Sequence, residues 1–357
     1  MNNKRKLADL SAGRDNNLNL VRLFASFMVM YMHSFALCIA DQSKDIMYTL
    51  TFHKALSGQV AVDIFFVISG FLIYRSYDRK TNVGKYLKAR FLRIWPLLAL
   101  FILSTAYIIG PIITTMSREE YFQHKQYEYL TNLFFAASHT RLPGVFYNHI
   151  VIDINGSIWT LRYEVICYIF VLMMLPIIRR YKKSIFIMIG FFAALYLFMS
   201  YGWAADSLAF VSKDIILNIG RLTMMFCIGA FYYLYQDKIP ICWQMLLASI
   251  VCLVAASYFI DYEIAFALFG SYIVIYIGFQ DWKIARLYDK VGDLSYGVYV
   301  ISFLVQQLVV DAMGVSPDGY EALRMDPYVN LGLSLLIVLP IAFISWHCFE
   351  KQLLKLK

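Results

Sequence analysis

The sequence predicts an all-α, polytopic membrane protein with about ten transmembrane helices and both termini in the cytoplasm. Composition is the first reason: 60% of the 357 residues are hydrophobic and 16% charged, whereas soluble domains sit near half apolar and a quarter charged. Length is the second. About 20 apolar residues cross a bilayer, and such runs recur at 18–40, 58–77, 95–114, 158–178, 184–201, 215–235, 239–260, 264–279, 294–311 and 328–349. The third is the placement of Lys and Arg, which cytoplasmic loops retain. With the N-terminus inside, the inner segments hold 22 of the 32 and the outer loops seven, with Arg22, Arg162 and Arg221 inside spans.

The chain divides into a polar cytoplasmic tail at 1–15, one membrane domain at 16–351 and a cytoplasmic tail at 352–357. The first run is long and many others follow it, so no cleaved signal peptide is expected. The run at 264–279 is short, and 203–210 suits a re-entrant or interfacial piece as well as a turn. The longest segment between runs is an outer loop at 116–156, with Tyr121, Phe122, Tyr127, Tyr129, Phe134, Phe135, Phe146 and Tyr147. Long ordered loops beside a membrane core often bind ligands, and aromatic faces suit sugar rings as well as an interfacial belt. Its histidines, His124, His139 and His149, are too far apart in sequence to suggest a metal site. The net charge of +8 follows membrane sidedness rather than one basic patch, which argues against nucleic acid as a partner. Six cysteines lie in or beside apolar runs without a C-x-x-C pair and read as small hydrophobes.

Charges inside the spans carry the functional signal, because ionisable groups in lipid are costly and face protein interiors or water-filled cavities. In VRLFASFMVMYMHS, Arg22 and His33 are eleven residues apart, so they share a helix face within about 20° and lie about 16 Å apart along the axis. In VDIFFVISGFLIYRS, Asp63 sits near the outer end, and Ser69 and Gly70 offer a small mid-span surface for close helix approach. In KARFLRIWP, Arg90 and Arg93 are helical neighbours, a pairing suited to phosphate. In GSIWTLRYEVICY, Trp159, Arg162 and Glu164 stand at the outer end of a span. Arg162 and Glu164, two apart, do not face each other and need partners elsewhere, such as Asp63 or Asp153. Arg221 lies just inside the membrane, and His347 and Glu350 mark the last inner boundary. Soluble-enzyme signatures such as G-x-S-x-G, a GK[ST] phosphate loop, a dinucleotide glycine fingerprint and H-E-x-x-H do not occur.

Together these motifs resemble the acyltransferase 3 family of bacterial integral membrane O-acyltransferases. The resemblance runs from about Asn16 to Lys351: the arginine, ten residues, histidine pattern at Arg22 and His33, then VDIFFVISGFLI, RFLRIWP, GSIWTLRYE, DLSYGVYVIS and SWHCFEK. It implies ten core helices in the bacterial inner membrane, cytosolic acyl-CoA (acetyl-CoA first among them) as donor, and a hydroxyl of O-antigen, lipopolysaccharide, capsule, exopolysaccharide or a lipid-linked sugar as acceptor on the outer side. It also implies a catalytic role for His33 and donor binding by Arg22, Arg90 and Arg93, with Ser69 and Gly70 beside them; Asp63 or Glu164, at matching depth in the outer half, are candidates to orient the ring. Trp159 and Arg162 are then the acceptor-side residues, and no metal is required. Unlike a common family variant, the sequence carries no appended esterase-like domain, so the membrane part alone, or a separate partner, is expected to complete transfer. Membrane lipid, a second copy and glycan-assembly proteins are the remaining expected partners.

Two roles for His33 fit the residues: general base on the acceptor hydroxyl, or temporary carrier of the acyl group. Two other function classes also fit them. A transporter or flippase would line a path for an anionic or glycolipid substrate with Arg22, His33, Arg162 and Arg221, and a structural partner of a glycan-assembly complex would not need His33 at all.

Overall fold

The computed structural model describes residues 5–13, 15–79, 82–124, 126–135, 139–202, 212–316 and 322–356. Helix accounts for 77% of the described residues. Among the described residues β-structure is confined to isolated bridges such as Lys6 with Pro240. We number the long helices α1 (Leu18–Ile39), α2 (Ser57–Arg79), α3 (Val83–Ile113), α4 (Trp159–Arg180), α5 (Ser184–Tyr201), α6 (Lys213–Leu234), α7 (Trp243–Phe259), α8 (Tyr262–Gly278), α9 (Ser295–Met313) and α10 (Pro327–Leu354). All but α7 and α8 are long and apolar enough to cross a membrane, giving eight candidate spans among the described residues. Helix α8 makes a ninth if counted with Lys283–Val291, from which it is bent by 78°. Every apolar run read from the sequence contains a helix. The 203–210 stretch lies outside the described residues.

One helix and the outer loop differ from expectation. Helix α3 begins at Val83, well before the expected start of the apolar run near Trp95, so Arg90 and Arg93 belong to the same helix as that run. Asn82 starts it by accepting the Lys85 amide at 2.9 Å. Pro96 lies within it, a position tolerated in membrane helices because neighbours re-satisfy the freed backbone groups. The outer loop is also more ordered than its composition suggests. Ser117 and Glu120 form a capping box for helix Arg118–Gln123, and residues 126–134 fold back along α3, where Trp95 donates to the Leu133 carbonyl at 3.2 Å.

The centre of the bundle is built from α1, α2, α6 and α9, while α5, α7 and α10 turn large apolar side chains such as Ile187, Val251 and Leu336 outward, as a lipid-facing rim requires. What brings α2 against α6 is glycine. A Cβ on Gly70 would sit 2.0 Å from the Phe226 carbonyl oxygen, and one on Gly229 would sit 2.0 Å from that of Val67. Without a hydrophobic force between helices in lipid, this small-residue seam lets dispersion hold them together. Gly70 therefore serves packing against Phe226.

Gly70→Ala should force α2 and α6 apart at a cost of roughly 1–3 kcal/mol, the usual range for overpacking. Thermal unfolding in detergent should show a clear fall for this variant and almost none for Gly332→Ala, whose added methyl meets open space. Equal stability of the two variants would contradict the seam.

Candidate active site

Three helices converge on one carboxylate that the sequence reading assigned no role. Asp293 lies in the turn before α9, where its Oδ1 accepts the Ser295 hydroxyl at 2.6 Å and the Ser295 amide at 3.3 Å. Its Oδ2 accepts from Arg22 of α1 at 3.0 Å and from Arg93 of α3 at 2.5 Å. Burial alone would raise the Asp293 carboxyl, but Arg93 and Arg22, with the Ser295 hydroxyl, outweigh it and hold it well below the usual carboxylate range. The available signal was the D-x-S pattern ahead of an apolar run, in which an aspartate caps a helix start.

Arg90, one turn before Arg93, is bound differently. Its guanidinium lies 6.0 Å from the ring centre of Tyr86 and 5.9 Å from that of Tyr168, and its buried Nε has no hydrogen-bond partner among the described residues. The three arginines share a cavity of about 210 Å³ with Ser69, Glu164, Tyr168 and Asp293. Glu164 accepts the Tyr168 hydroxyl. The lining thus sets three guanidinium groups against two carboxylates.

A second, narrower cavity of about 40 Å³ shares Arg22, Ser69 and Glu164 with the first and adds Val62, Thr160, Tyr296 and Tyr299. A third, of about 70 Å³, shares Val62 and Tyr299 with the second and contains His33, Gln59, Ser157 and Trp159. The three follow the α1 face that carries Arg22 and His33. His33 is buried, its ring edge-on to Phe303 at 4.9 Å between centres, and its Nδ1 has no partner among the described residues. Its surroundings depend on two glycines. A Cβ on Gly156 would meet the Phe303 ring at 2.6 Å, and one on Gly58 would meet the Met32 sulfur at 2.6 Å. Asn155 fixes the Gly156 turn by donating to the Val300 carbonyl and accepting the Ser157 amide, both at 2.7 Å.

The other expected residues separate into those at these cavities and those away from them. Ser69, Glu164 and Trp159 line them. Asp63 does not orient His33: both its oxygens bind Arg221, at 3.1 and 3.0 Å. Glu263 stands 3.8 Å from the same guanidinium, which also donates to the Gln59 carbonyl at 2.8 Å. A buried carboxylate takes a guanidinium in reach because an unpaired charge there is costly. Arg162 donates to the Phe135 carbonyl at 3.2 Å and is absent from the walls of all three cavities. Arg221 is likewise absent from them, so two of the four residues proposed for a transport path lie off it. The loop histidines go to separate places: His139 is 3.8 Å from Glu128, and His149 sits between Gln307 at 2.9 Å and Asp311 at 3.3 Å.

Residues 15–347 match the family model for the acyltransferase domain of type 3. The chain belongs to the acyltransferase 3 family. Among its relatives, an O-acetyl transferase of Shigella phage Sf6 is 30% identical over 354 residues, covering 96% of each chain. Nodulation protein 10 of Rhizobium leguminosarum bv. viciae is 33% identical over 183 residues, 49% of this chain and 48% of the relative. No solved structure matches. This acyltransferase 3 protein is thus a multi-pass membrane enzyme of acyl transfer.

Because the folded Asp293 carboxyl titrates below its unfolded value of about 3.9, the stability it contributes is present above that value and is lost as pH falls through the folded one. Asp293→Asn should lower the unfolding temperature at pH 7, and the gap to wild type should close as pH drops below about 4. A gap that widens on acidification would refute the pairing.

Proposed function

We propose that this protein moves an acetyl group from cytosolic acetyl-CoA to a hydroxyl of a cell-surface glycan on the outer side of the bacterial inner membrane. In this reading ten helices cross the membrane, both termini are cytoplasmic, and the membrane domain extends over 16–351. The observation that carries the proposal is the run of three cavities sharing walls, from Arg22, Arg90 and Arg93 at one end to His33 at the other. Acyl-CoA has the matching shape and charge: an anionic nucleotide head on a thin arm that ends in a thioester. The surplus positive charge of the wide cavity suits the phosphates, Ser69 lines the start of the neck, and the arm follows α1 for three helical turns to His33. The name of the phage Sf6 relative favours acetyl over longer groups.

At His33 the imidazole takes the proton of the acceptor hydroxyl as the oxygen attacks the thioester carbon. The new C–O bond forms, the C–S bond breaks, and the proton passes to the departing thiolate. General base catalysis is the role supported by the His33 Nδ1, which has no hydrogen-bond partner among the described residues. Trp159, in the wall of the same cavity, is the acceptor-side residue of this scheme.

Inside-out vesicles given radiolabelled acetyl-CoA provide the test, with label on glycan and label bound to protein read separately. His33→Ala should lose transfer by 100-fold or more, within the usual 10²–10⁴ contribution of a general base, while still binding acetyl-CoA. Arg90→Ala and Arg93→Ala should weaken acetyl-CoA binding by about tenfold or more, the loss expected when a charge-assisted hydrogen bond is removed. Full transfer in the histidine variant, or donor binding lost only there, defeats the scheme.

A further inference from the structure

The outer loop contains a cleft of about 580 Å³ that none of the three inner cavities includes. We propose that this cleft, lined by Tyr147, Arg141, His139, His124 and Glu128, holds a sugar unit of the glycan acceptor beside the unit that is acetylated. The inference rests on the glycan acceptor of the preceding section and adds that the acceptor is a chain of sugars, gripped at two places.

The cleft has the size of a small-molecule site and polar groups that converge on it. Tyr147 is 57% exposed and offers a phenol ring that can cover the C–H face of a pyranose while its hydroxyl stays wet. Arg141 supplies donors and Glu128 an acceptor, and their side chains are 63% and 39% exposed, respectively. His139 and His124 can each donate and accept. Such a mixture fits a hydroxyl-rich ligand better than a lipid chain or a lone anion.

The walls are built and held. Thr114 donates to the Pro143 carbonyl at 2.8 Å, the Thr115 amide bonds Gly144 at 2.9 Å, and Gly144 adopts φ +69°, where a side chain would be strained. On the other side, Asn132 donates to the His139 carbonyl at 2.6 Å.

A short, rigid path joins this cleft to His33. Thr140 donates to Asp153 at 2.5 Å, and the Ile154 amide returns to the Thr140 carbonyl at 2.7 Å. The Asp153 carbonyl accepts Gln307 of α9 at 2.9 Å. Two residues further on, Asn155 sets the Gly156–Ser157 turn that walls the His33 cavity. A sugar chain seated in the cleft therefore rests on the segment that shapes the catalytic cavity.

The test compares two acceptors: the cell's own surface polysaccharide stripped of esters by mild base, and the same polymer cut to mono- and disaccharides. Vesicles with wild type, Tyr147→Ala, Arg141→Ala and Tyr147→Phe receive acetyl-CoA, and the ratio of kcat/KM for long against short acceptor is measured. The ratio should fall about tenfold in both alanine variants and stay near wild type in Tyr147→Phe, which keeps the ring. An unchanged ratio in the alanine variants, or an equal loss on both acceptors, overturns the cleft. Wild type that acetylates neither acceptor overturns the glycan reading itself, and the cleft with it.

Discussion

A charge placed in lipid must be matched, and in this protein one carboxylate matches two arginines from different helices. Asp293 ties down α1 through Arg22 and α3 through Arg93 while it caps α9 through Ser295. The same bonds that satisfy the charges set the distance between helices that share no other ion pair among the described residues. Because Asp293 is committed to these two partners, Arg90 rests, among the described residues, on the ring faces of Tyr86 and Tyr168. A guanidinium so held is the one the proposed function leaves to donate to the phosphates of the donor.

A second ion cluster has the opposite character. Arg221 of α6 is bound by Asp63 of α2 and lies near Glu263 of α8, and Tyr196 of α5 donates to Glu263 at 3.1 Å. Two carboxylates and a carbonyl surround one cation, so the cluster is closed to further anions. Its position still bears on the active cavity, since the carbonyl that Arg221 binds belongs to Gln59, a wall residue beside His33. Together with the glycine seam of α2 and α6, it fixes the α2 wall without offering any group for chemistry. One buried cluster supplies rigidity and the other supplies charge.

How far the sequence could be read follows from the same physics. Helix positions were legible because a bilayer demands long apolar runs, and the shared face of Arg22 and His33 followed from helical periodicity alone. The pairing of Arg90 with Arg93 was legible as a local spacing. Long-range partners were not: whether Asp63 meets His33 or Arg221 depends on how α2 and α6 are rotated against each other. That rotation is set by Gly70 and Gly229, two small residues among many. Asp293 was hidden because a capping aspartate before a helix is ordinary, and only the approach of α1 and α3 turns it into a hub. The early start of α3 was masked by its basic first turns, which read as loop when hydropathy alone is counted.

The surroundings of His33 show how an imidazole in the role proposed for it is held without a carboxylate. In a hydrolase triad the acidic partner orients the ring and steadies its charged form, a device suited to a site open to water. Here the ring is held by shape: Phe303 stands edge-on against it, Gly156 leaves room for Phe303, and Gly58 leaves room for Met32. Packing of this kind fixes orientation at no cost in buried charge. In the proposed scheme it also leaves the imidazole free to pass a proton from acceptor oxygen to departing sulfur within one step, since no carboxylate among the described residues bonds the ring. An added carboxylate would need a counter-cation of its own in the membrane, and Arg221, which binds the Gln59 carbonyl in the wall of the His33 cavity, is already bound by Asp63.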